Sequence, residues 1–373
     1  WEAINQNGGG CDYVSEKIIN DAESGNGKMI YANREYNALI LPEIETMSVE
    51  TARKIAAFAD AGGKLIFIAK TPYKSLVFLD NEASDKEARA IIDELIGSKK
   101  ENVIIYPAPG DDLIKWFGKM QQDLDLKPYV RFSKTDKFLS QSSYKLGESP
   151  VYFIANTSLN ETIDVDAQFT VEDDLYPHFW DPETGEKWSY PVKESNNLID
   201  LYLPPATSRL IIFEKEANGE MYKEKIPESL SYEITGSWKV ELDHIKDDRD
   251  EIVLQKLKDL VEDERTKNFA GTAVYSKKVN HNNKDYKYLD LGEVKGISEV
   301  TLNGESLGTR WYGTHIYNIQ DYWREGENEI IIRITTITGN YLKGQKDNPV
   351  AQRWTGRQPY TSMGLIGPVS LGV

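Results

Sequence analysis

The sequence predicts a multidomain protein in which one α/β domain is followed by two all-β domains. Short apolar runs alternate with helical patterns up to about residue 126, and period-two alternation replaces them from residue 127 onward. An Asn-Gly pair joins two alternating segments near residue 303, as in a β-hairpin. The predicted domains are 1–126, 127–216 and 217–373, and each is long enough to form its own core.

Composition argues against nucleic acid and membranes as partners. The chain is 40% hydrophobic and 28% charged, and its net charge is -16 with no basic cluster. No apolar run approaches the roughly 20 residues of a membrane span. An aromatic content of 11% fits carbohydrate recognition, although aromatic residues also fill ordinary β-cores.

Cysteine and histidine usage gives no sign of a metal or cofactor site. Cys11 is the only cysteine, so a disulfide within the chain is excluded. The histidines are widely separated, which argues against a histidine-based metal cluster; they are His178, His244, His281 and His315. The opening residues lack a basic and apolar leader, and a helical pattern begins almost at once, which suggests a segment of a longer protein.

Residues 1–126 predict a parallel sheet covered by helices. Each predicted helix follows a capping residue, namely Ser48, Ser84 with Glu87 as a capping box, and Asp111. An earlier helix is predicted over Tyr13–Ala22. The predicted strands are short apolar runs, at Tyr36–Leu41, Lys64–Ala69 and Asn102–Tyr106.

This α/β domain lacks the signatures of catalysis that such folds often carry. No glycine-rich nucleotide-binding motif is present, and the region contains no histidine to activate a nucleophile. Cys11 precedes a helix rather than following a strand. We therefore predict that the domain is catalytically empty.

Residues 127–216 predict a small β-sandwich. Lys127-Pro128 and the polar segment Ser133–Ser143 are interpreted as a linker, and Asp181–Gly185 as a tight turn. Asp181 and Glu183 are interpreted as solvated turn residues rather than paired catalytic acids. The predicted strands carry alternating or continuous apolar residues, at Val151–Ala155, Ile163–Phe169, Ile199–Leu203 and Arg209–Phe213.

Residues 217–373 predict a second sandwich with one helix. Strands are predicted at Gly236–Leu242 and Thr272–Val279, and Asp250–Glu262 fits a helical period. Further strands are marked by alternating apolar residues, namely Leu289 with Leu291, Val300 with Leu302, and Ile330 with Ile332 and Ile334. Gly339–Met363 is a long polar insertion whose aromatic and arginine content favours a functional loop over disorder.

Two groups of side chains form the candidate carbohydrate-binding site. They are Arg310, Trp311, Tyr312, His315 and Tyr317 after the hairpin, and Arg353, Trp354 and Tyr360 in the insertion. We predict that they meet at one end of the sandwich, where rings stack on sugar and guanidinium groups bind hydroxyls or carboxylates. The alternative, which we favour, is that they pack the loops against the sandwich or against another domain.

Several blocks of this chain resemble glycoside hydrolases. Leu291-Gly292, Asn303-Gly304, Leu307-Gly308 and the loop around Trp311 resemble the jelly-roll sugar-binding module of family 2-type enzymes. They are more closely similar to the C-terminal module of glycoside hydrolase family 106, the α-L-rhamnosidases. The similarity extends to blocks in all three parts of the chain, at 11–14, 36–47, 152–156, 180–185 and 365–371.

The resemblance implies a particular layout and set of partners. It implies a flavodoxin-like or amidotransferase-like α/β domain, a small β-sandwich and a galactose-binding-like jelly roll. The family carries its catalytic carboxylates and a calcium ion in a (β/α)₈ barrel, which needs about 250 residues of alternating strands and helices. Only the first part of this chain alternates in that way, so we assign no catalytic residue and no cofactor to it.

Two function classes therefore stay open. The first is an accessory region of a polysaccharide-degrading glycoside hydrolase, α-L-rhamnosidase-like, with plant or microbial polysaccharide and the catalytic barrel as partners. The second is a stand-alone carbohydrate-binding or protein-interaction protein without hydrolase activity. A periplasmic or extracellular location follows from the resemblance alone.

Overall fold

We describe the protein from a computed structural model. It covers residues 1–76, 81–193, 195–224, 229–246, 248–282 and 285–373. Throughout these residues the structure is mostly antiparallel β-sheet, with few helices and one small parallel sheet.

The first part of the chain contains the parallel sheet. Its helices are α1 (Glu2–Gln6), α2 (Glu16–Asp21), α3 (Val49–Asp60), α4 (Asn81–Gly97) and α5 (Leu113–Asp123). Three short antiparallel strands come first, β1 (Glu23–Gly25), β2 (Lys28–Tyr31) and β3 (Arg34–Tyr36). The parallel sheet follows in the order β4 (Ala38–Pro42), β5 (Lys64–Ile68) and β6 (Val103–Tyr106).

Burial on both faces explains the continuous apolar run of β5. Leu65 and Phe67 pack with residues of α3 and α4, whereas Ile66 and Ile68 pack with residues of α1 and α5. The sheet is therefore a central layer with helices on either side, as the alternating pattern predicted.

The middle part forms two antiparallel sheets that share one core. Its strands are β7 (Val130–Phe132), β8 (Leu139–Leu146), β9 (Ser149–Asn156), β10 (Ile163–Phe169), β11 (Tyr176–Trp180), β12 (Lys187–Ser189), β13 (Leu198–Leu203) and β14 (Ser208–Glu214). One sheet has the order β13-β10-β7 and the other β12-β11-β14-β9-β8. Ile154, Phe169 and Phe213 lie in the core between them.

The last part forms a larger antiparallel sandwich. Its elements are β15 (Leu230–Glu233), β16 (Trp238–His244), β17 (Arg249–Leu254), β18 (Gly271–His281), β19 (Tyr288–Asp290), β20 (Glu293–Lys295), β21 (Ile297–Leu302), β22 (Glu305–Arg310), β23 (Ile316–Asn318), β24 (Gly326–Thr335), α6 (Gly339–Gly344), α7 (Pro349–Thr355), β25 (Gly364–Gly367) and β26 (Ser370–Gly372). A six-stranded sheet, β17-β16-β18-β24-β21-β22, shares its core with the sheet β15-β26-β19-β23. Strands β20 and β25 pair separately.

The predicted hairpin is present between β21 and β22. Asn303 has φ 53° and Gly304 has φ 90°, both positive as the turn requires. The Asn303 side chain also bonds to the Tyr322 carbonyl and to Asn328, which fixes the turn against its neighbours.

Four sequence-based predictions about elements and caps were wrong in whole or in part. Asp250–Glu262 is not a helix: it contains most of β17, a loop and a single 3-10 turn at Leu260–Glu262. The segment Ser133–Ser143 is only partly a linker, because β8 begins at Leu139. Ser84 lies inside α4 rather than at its start, and Asp112, rather than Asp111, caps α5.

The insertion 339–363 folds into a compact lobe that contains α6 and α7. Asn340 holds the end of the lobe, because its amide donates to the Thr361 carbonyl and its oxygen accepts from the Thr361 amide. We call this segment the insertion lobe. It follows β24 of the six-stranded sheet and ends at β25, which pairs with β20.

Candidate carbohydrate-binding site

Trp311 lies at the edge of the six-stranded sheet and points toward the small sandwich. It follows β22, and its side chain is 63% exposed. The indole Nε1 donates a hydrogen bond of 2.7 Å to Oε1 of Glu183, in the turn before β12. The ring also makes an edge contact with Tyr312, at 4.7 Å between centroids. This tryptophan therefore joins two parts of the chain.

Tyr312 and Gly313 extend the same contact. Partial burial raises the pKa of Tyr312, and the nearby carboxylates of Glu183 and Asp181 raise it further. Gly313 has φ +70°, and a Cβ there would lie 2.9 Å from Cγ2 of Thr207. The loop after β22 consequently rests directly on the small sandwich.

His315 and Tyr317 lie below the surface. They are 7% and 1% exposed. Oγ of Ser298 is 2.6 Å from Nδ1 of His315 and 2.7 Å from the hydroxyl of Tyr317, which in turn donates to the Ser298 carbonyl at 2.9 Å. Burial, aided by the charge of Arg310, lowers the pKa of His315 to about 4. These two side chains are packed core groups in this structure.

Arg310 lies between the buried and exposed members of the group. It is half-buried, and its guanidinium lies 5.8 Å from the centroid of the Tyr317 ring. A cation over an aromatic face is attracted by the ring quadrupole. Arg310 thus lies against the ring of the buried Tyr317.

The candidate residues of the insertion lobe differ in exposure. The Tyr360 hydroxyl donates to Oδ1 of Asn268 at 3.0 Å, and the ammonium groups of Lys343 and Lys267 lie 5.3 and 5.8 Å from its ring. Arg353 and Trp354, by contrast, project from α7 into solvent. Tyr360 therefore packs the lobe, whereas Arg353 and Trp354 present a surface.

The two groups emerge at the same end of the six-stranded sheet but contact different neighbours. Arg310 pairs with Ser298, Ser298 with Ile334, and Ile334 with Ala273, so β22 and β18 are three strands apart. Neighbouring strands lie about 4.8 Å apart, so β22 and β18 are separated by about 14 Å. Trp311 contacts Glu183, and Tyr360 contacts Asn268 just before β18.

The sequence does not predict the partners of these residues. Glu183 was interpreted as a solvated turn residue, and its bond to Trp311 spans 128 positions. Ser298 lies on an ordinary alternating strand. Neither contact leaves a local pattern, because both depend on how separate elements meet.

A shallow polar cleft lies where α1 and α5 meet the first strand of the small sandwich. Its volume is about 240 Å³, and it is lined by Asn7, Gly118, Gln121, Gln122, Arg131, Phe132 and Thr135. Among the described residues, no three His, Cys, Asp or Glu side chains are grouped so that they would hold a metal ion. No helix in the described ranges is long and apolar enough to cross a membrane.

Comparison with known families identifies the chain. The family model of the alpha-L-rhamnosidases, glycoside hydrolase family 106, matches residues 5–192. The chain belongs to glycoside hydrolase family 106. The resemblance inferred from the sequence blocks is therefore confirmed.

A solved rhamnosidase shares the fold of this family 106 chain. The rhamnosidase from Novosphingobium sp. PP1Y superposes with a TM-score of 0.67 at 22% identity, over 96% of this chain and 36% of its own. A protein from Formosa agariphila that is provisionally named a beta-glucuronidase is 33% identical over a 179-residue alignment, which covers 38% of this chain and 15% of that protein. The chain thus spans about a third or less of the length of these relatives.

Proposed function

We propose that this chain is an accessory, non-catalytic region of a glycoside hydrolase that acts on rhamnose-containing polysaccharide. Its proposed parts are an amidotransferase-like α/β domain (1–126), a small β-sandwich (127–216) and a galactose-binding-like jelly roll (217–373). Their role is to hold a catalytic barrel, with its calcium ion, against its polysaccharide substrate. The proposed location is periplasmic or extracellular, because such substrates lie outside the cell.

Rigid attachment between distant parts of the chain carries this proposal. The Asn5 amide in α1 donates to the Gln141 carbonyl in β8 at 2.5 Å, and its oxygen accepts from the Gln141 amide at 3.2 Å. Gln141 returns a bond to the Gly9 carbonyl at 2.7 Å. Buried polar groups are costly to leave unpaired, so these contacts hold the first helix on the small sandwich.

The bond between Trp311 and Glu183 provides a second attachment, between the two sandwiches. Together the contacts support a scaffold whose parts keep one orientation. A scaffold of this kind suits a domain that positions a neighbouring catalytic unit. Family membership supplies the glycosidase context.

Hydrolysis assays test the accessory role. The purified chain should not release 4-nitrophenol from an aryl α-L-rhamnoside, whereas the product of the complete reading frame should. In that longer product, Asn5→Ala should lower the thermal midpoint and the rate together, because the scaffold loosens. Gln6→Ala is the matched control, since its single bond to the Lys137 carbonyl is exposed.

Turnover by this chain alone would end the proposal. So would a reading frame that starts immediately before Trp1, since no barrel would then be attached. The second candidate function, a stand-alone carbohydrate-binding protein, is favoured by the exposed Trp354 on the insertion lobe. It predicts the short reading frame.

A further inference from the structure

One face of α7 carries side chains that are exposed to solvent. Val350, Arg353, Trp354 and Arg357 are spaced three and four positions apart, and Gly356 after the helix keeps helical dihedral angles. Residues at this spacing lie on the same side of a helix. Trp354 is 74% exposed and Val350 66%. We call these four residues the α7 face.

The opposite side of α7 fixes the helix in place. The Gln352 amide donates to the carbonyls of Lys343 and Gln345 at 3.1 and 3.0 Å. Nζ of Lys343 donates to the carbonyls of Thr355, Gly356 and Gln358, which satisfies the end of the helix. The α7 face is therefore presented by an anchored backbone, and ordering it for a ligand costs little entropy.

Asn348 and Ala351 complete the anchoring. The Asn348 side chain caps α7 by accepting from the backbone amides of Val350 and Ala351, both at 3.1 Å. Ala351 is buried. Both ends and one side of this short helix are thus bonded, and the exposed side is left for a partner.

The insertion lobe is basic within an acidic chain. It contains Lys343, Lys346, Arg353 and Arg357 but only one acidic residue, Asp347, while the whole chain has a net charge of -16. The guanidinium groups of Arg353 and Arg357 form no hydrogen bond or ion pair with any residue in the described ranges. The positive charges of these two guanidinium groups are therefore available to an external anion.

We infer that the α7 face binds an anionic polysaccharide, one that bears carboxylate or sulfate groups. The sugar ring stacks on Trp354, and Arg353 and Arg357 bind the anionic groups with charge-assisted hydrogen bonds. Charge complementarity selects this ligand class over neutral glycans. The inference deepens the proposed function by naming a substrate feature that the accessory region recognises.

Binding by the full chain tests this inference at low ionic strength. Polygalacturonate supplies carboxylates, dextran sulfate supplies sulfates, and dextran is the neutral reference. We expect binding to at least one polyanion, no binding to dextran, and weakening as salt is added. The polyanion that binds more tightly identifies the anionic group.

Variants locate the site. Arg353→Gln with Arg357→Gln should weaken polyanion binding about tenfold, and Trp354→Ala about fivefold. The matched control is Arg34→Gln with Arg89→Gln, which removes the same charge at exposed positions outside 217–373. All the substituted side chains are exposed, so the thermal midpoint should stay unchanged.

Three results would overturn the inference. They are the absence of polyanion binding at low salt, an equal loss in the control variant, and α7 variants that destabilise a longer product of the reading frame without changing binding. The last would make the α7 face a protein interface. Binding is measured without catalysis, so failure here and failure of the accessory role are distinguishable.

Discussion

The buried Ser298 binds two of the candidate carbohydrate-binding residues, His315 and Tyr317, inside the core. Its hydroxyl lies within 2.7 Å of both the His315 ring and the Tyr317 hydroxyl. One arrangement satisfies all three groups: Nδ1–H of His315 donates to Ser298, Ser298 donates to Tyr317, and Tyr317 donates to the Ser298 carbonyl. The imidazole is neutral in the folded chain because burial lowers the pKa of His315.

The burial of His315 predicts a loss of stability in mild acid. Unfolded His315 binds a proton near its ordinary pKa of 6.5, whereas in the folded chain its pKa is about 4. The contribution is fully present above pH 6.5 and is lost as pH falls toward 4, by up to about 3 kcal/mol. Urea unfolding should be measured at pH 7.5 and pH 4.5, values that span most of this window.

His315→Gln is the comparison that isolates this residue. Because it cannot titrate, the variant should lose about 2 kcal/mol less than the parent between the two pH values. Every other titrating group is shared, so their effects cancel. An identical loss in both proteins would show that His315 does not control the acid response.

At the scale of elements, the helix cap at Ser48 was predicted correctly, whereas the helix over 250–262 was not. Ser48 caps α3 as predicted, and its Oγ accepts from the Thr51 amide at 3.2 Å. The helical period in 250–262 gave a wrong prediction. Ile252 and Leu254 also alternate with the exposed Val253, as in a strand. This short segment fits the helical period and the strand period equally well. Backbone hydrogen bonds to β16 stabilise it as a strand.

Two serines test the difference between a real and an apparent cap. Ser48→Ala should destabilise the protein by about 1 kcal/mol, because the Thr51 amide loses its acceptor. Ser84→Ala should be neutral or slightly stabilising, because this position is inside α4 and alanine is the better helix former. Thermal and urea unfolding of the two variants provide the measurement, and equal losses would contradict the structure.

At the scale of the whole molecule, a few bonds between distant residues join otherwise separate sheets. Asn5 reaches Gln141 across 136 positions, and Trp311 reaches Glu183 across 128. The first pair is buried and the second is exposed. We therefore expect the first to contribute more to stability than the second.

A double-mutant cycle on Trp311 and Glu183 measures the joint between the sandwiches. Trp311→Phe removes the donor and keeps an aromatic ring, and Glu183→Ala removes the acceptor. The coupling energy should be positive but below about 1 kcal/mol, since both side chains are exposed. A coupling of zero, measured by urea unfolding, would show that the bond does not hold the two sandwiches together.

The sequence by itself determined the order of α/β and β segments, most strand positions, the Asn303-Gly304 turn and the family. These features have local causes, namely burial periodicity, capping chemistry and the positive φ that a tight turn requires. Only the tertiary structure decided that His315 and Tyr317 are buried, that Trp311 is bonded to Glu183, and that Arg353 and Trp354 stay exposed. Those outcomes depend on which surfaces meet after folding, and residues more than a hundred positions apart leave no periodic trace of their contact.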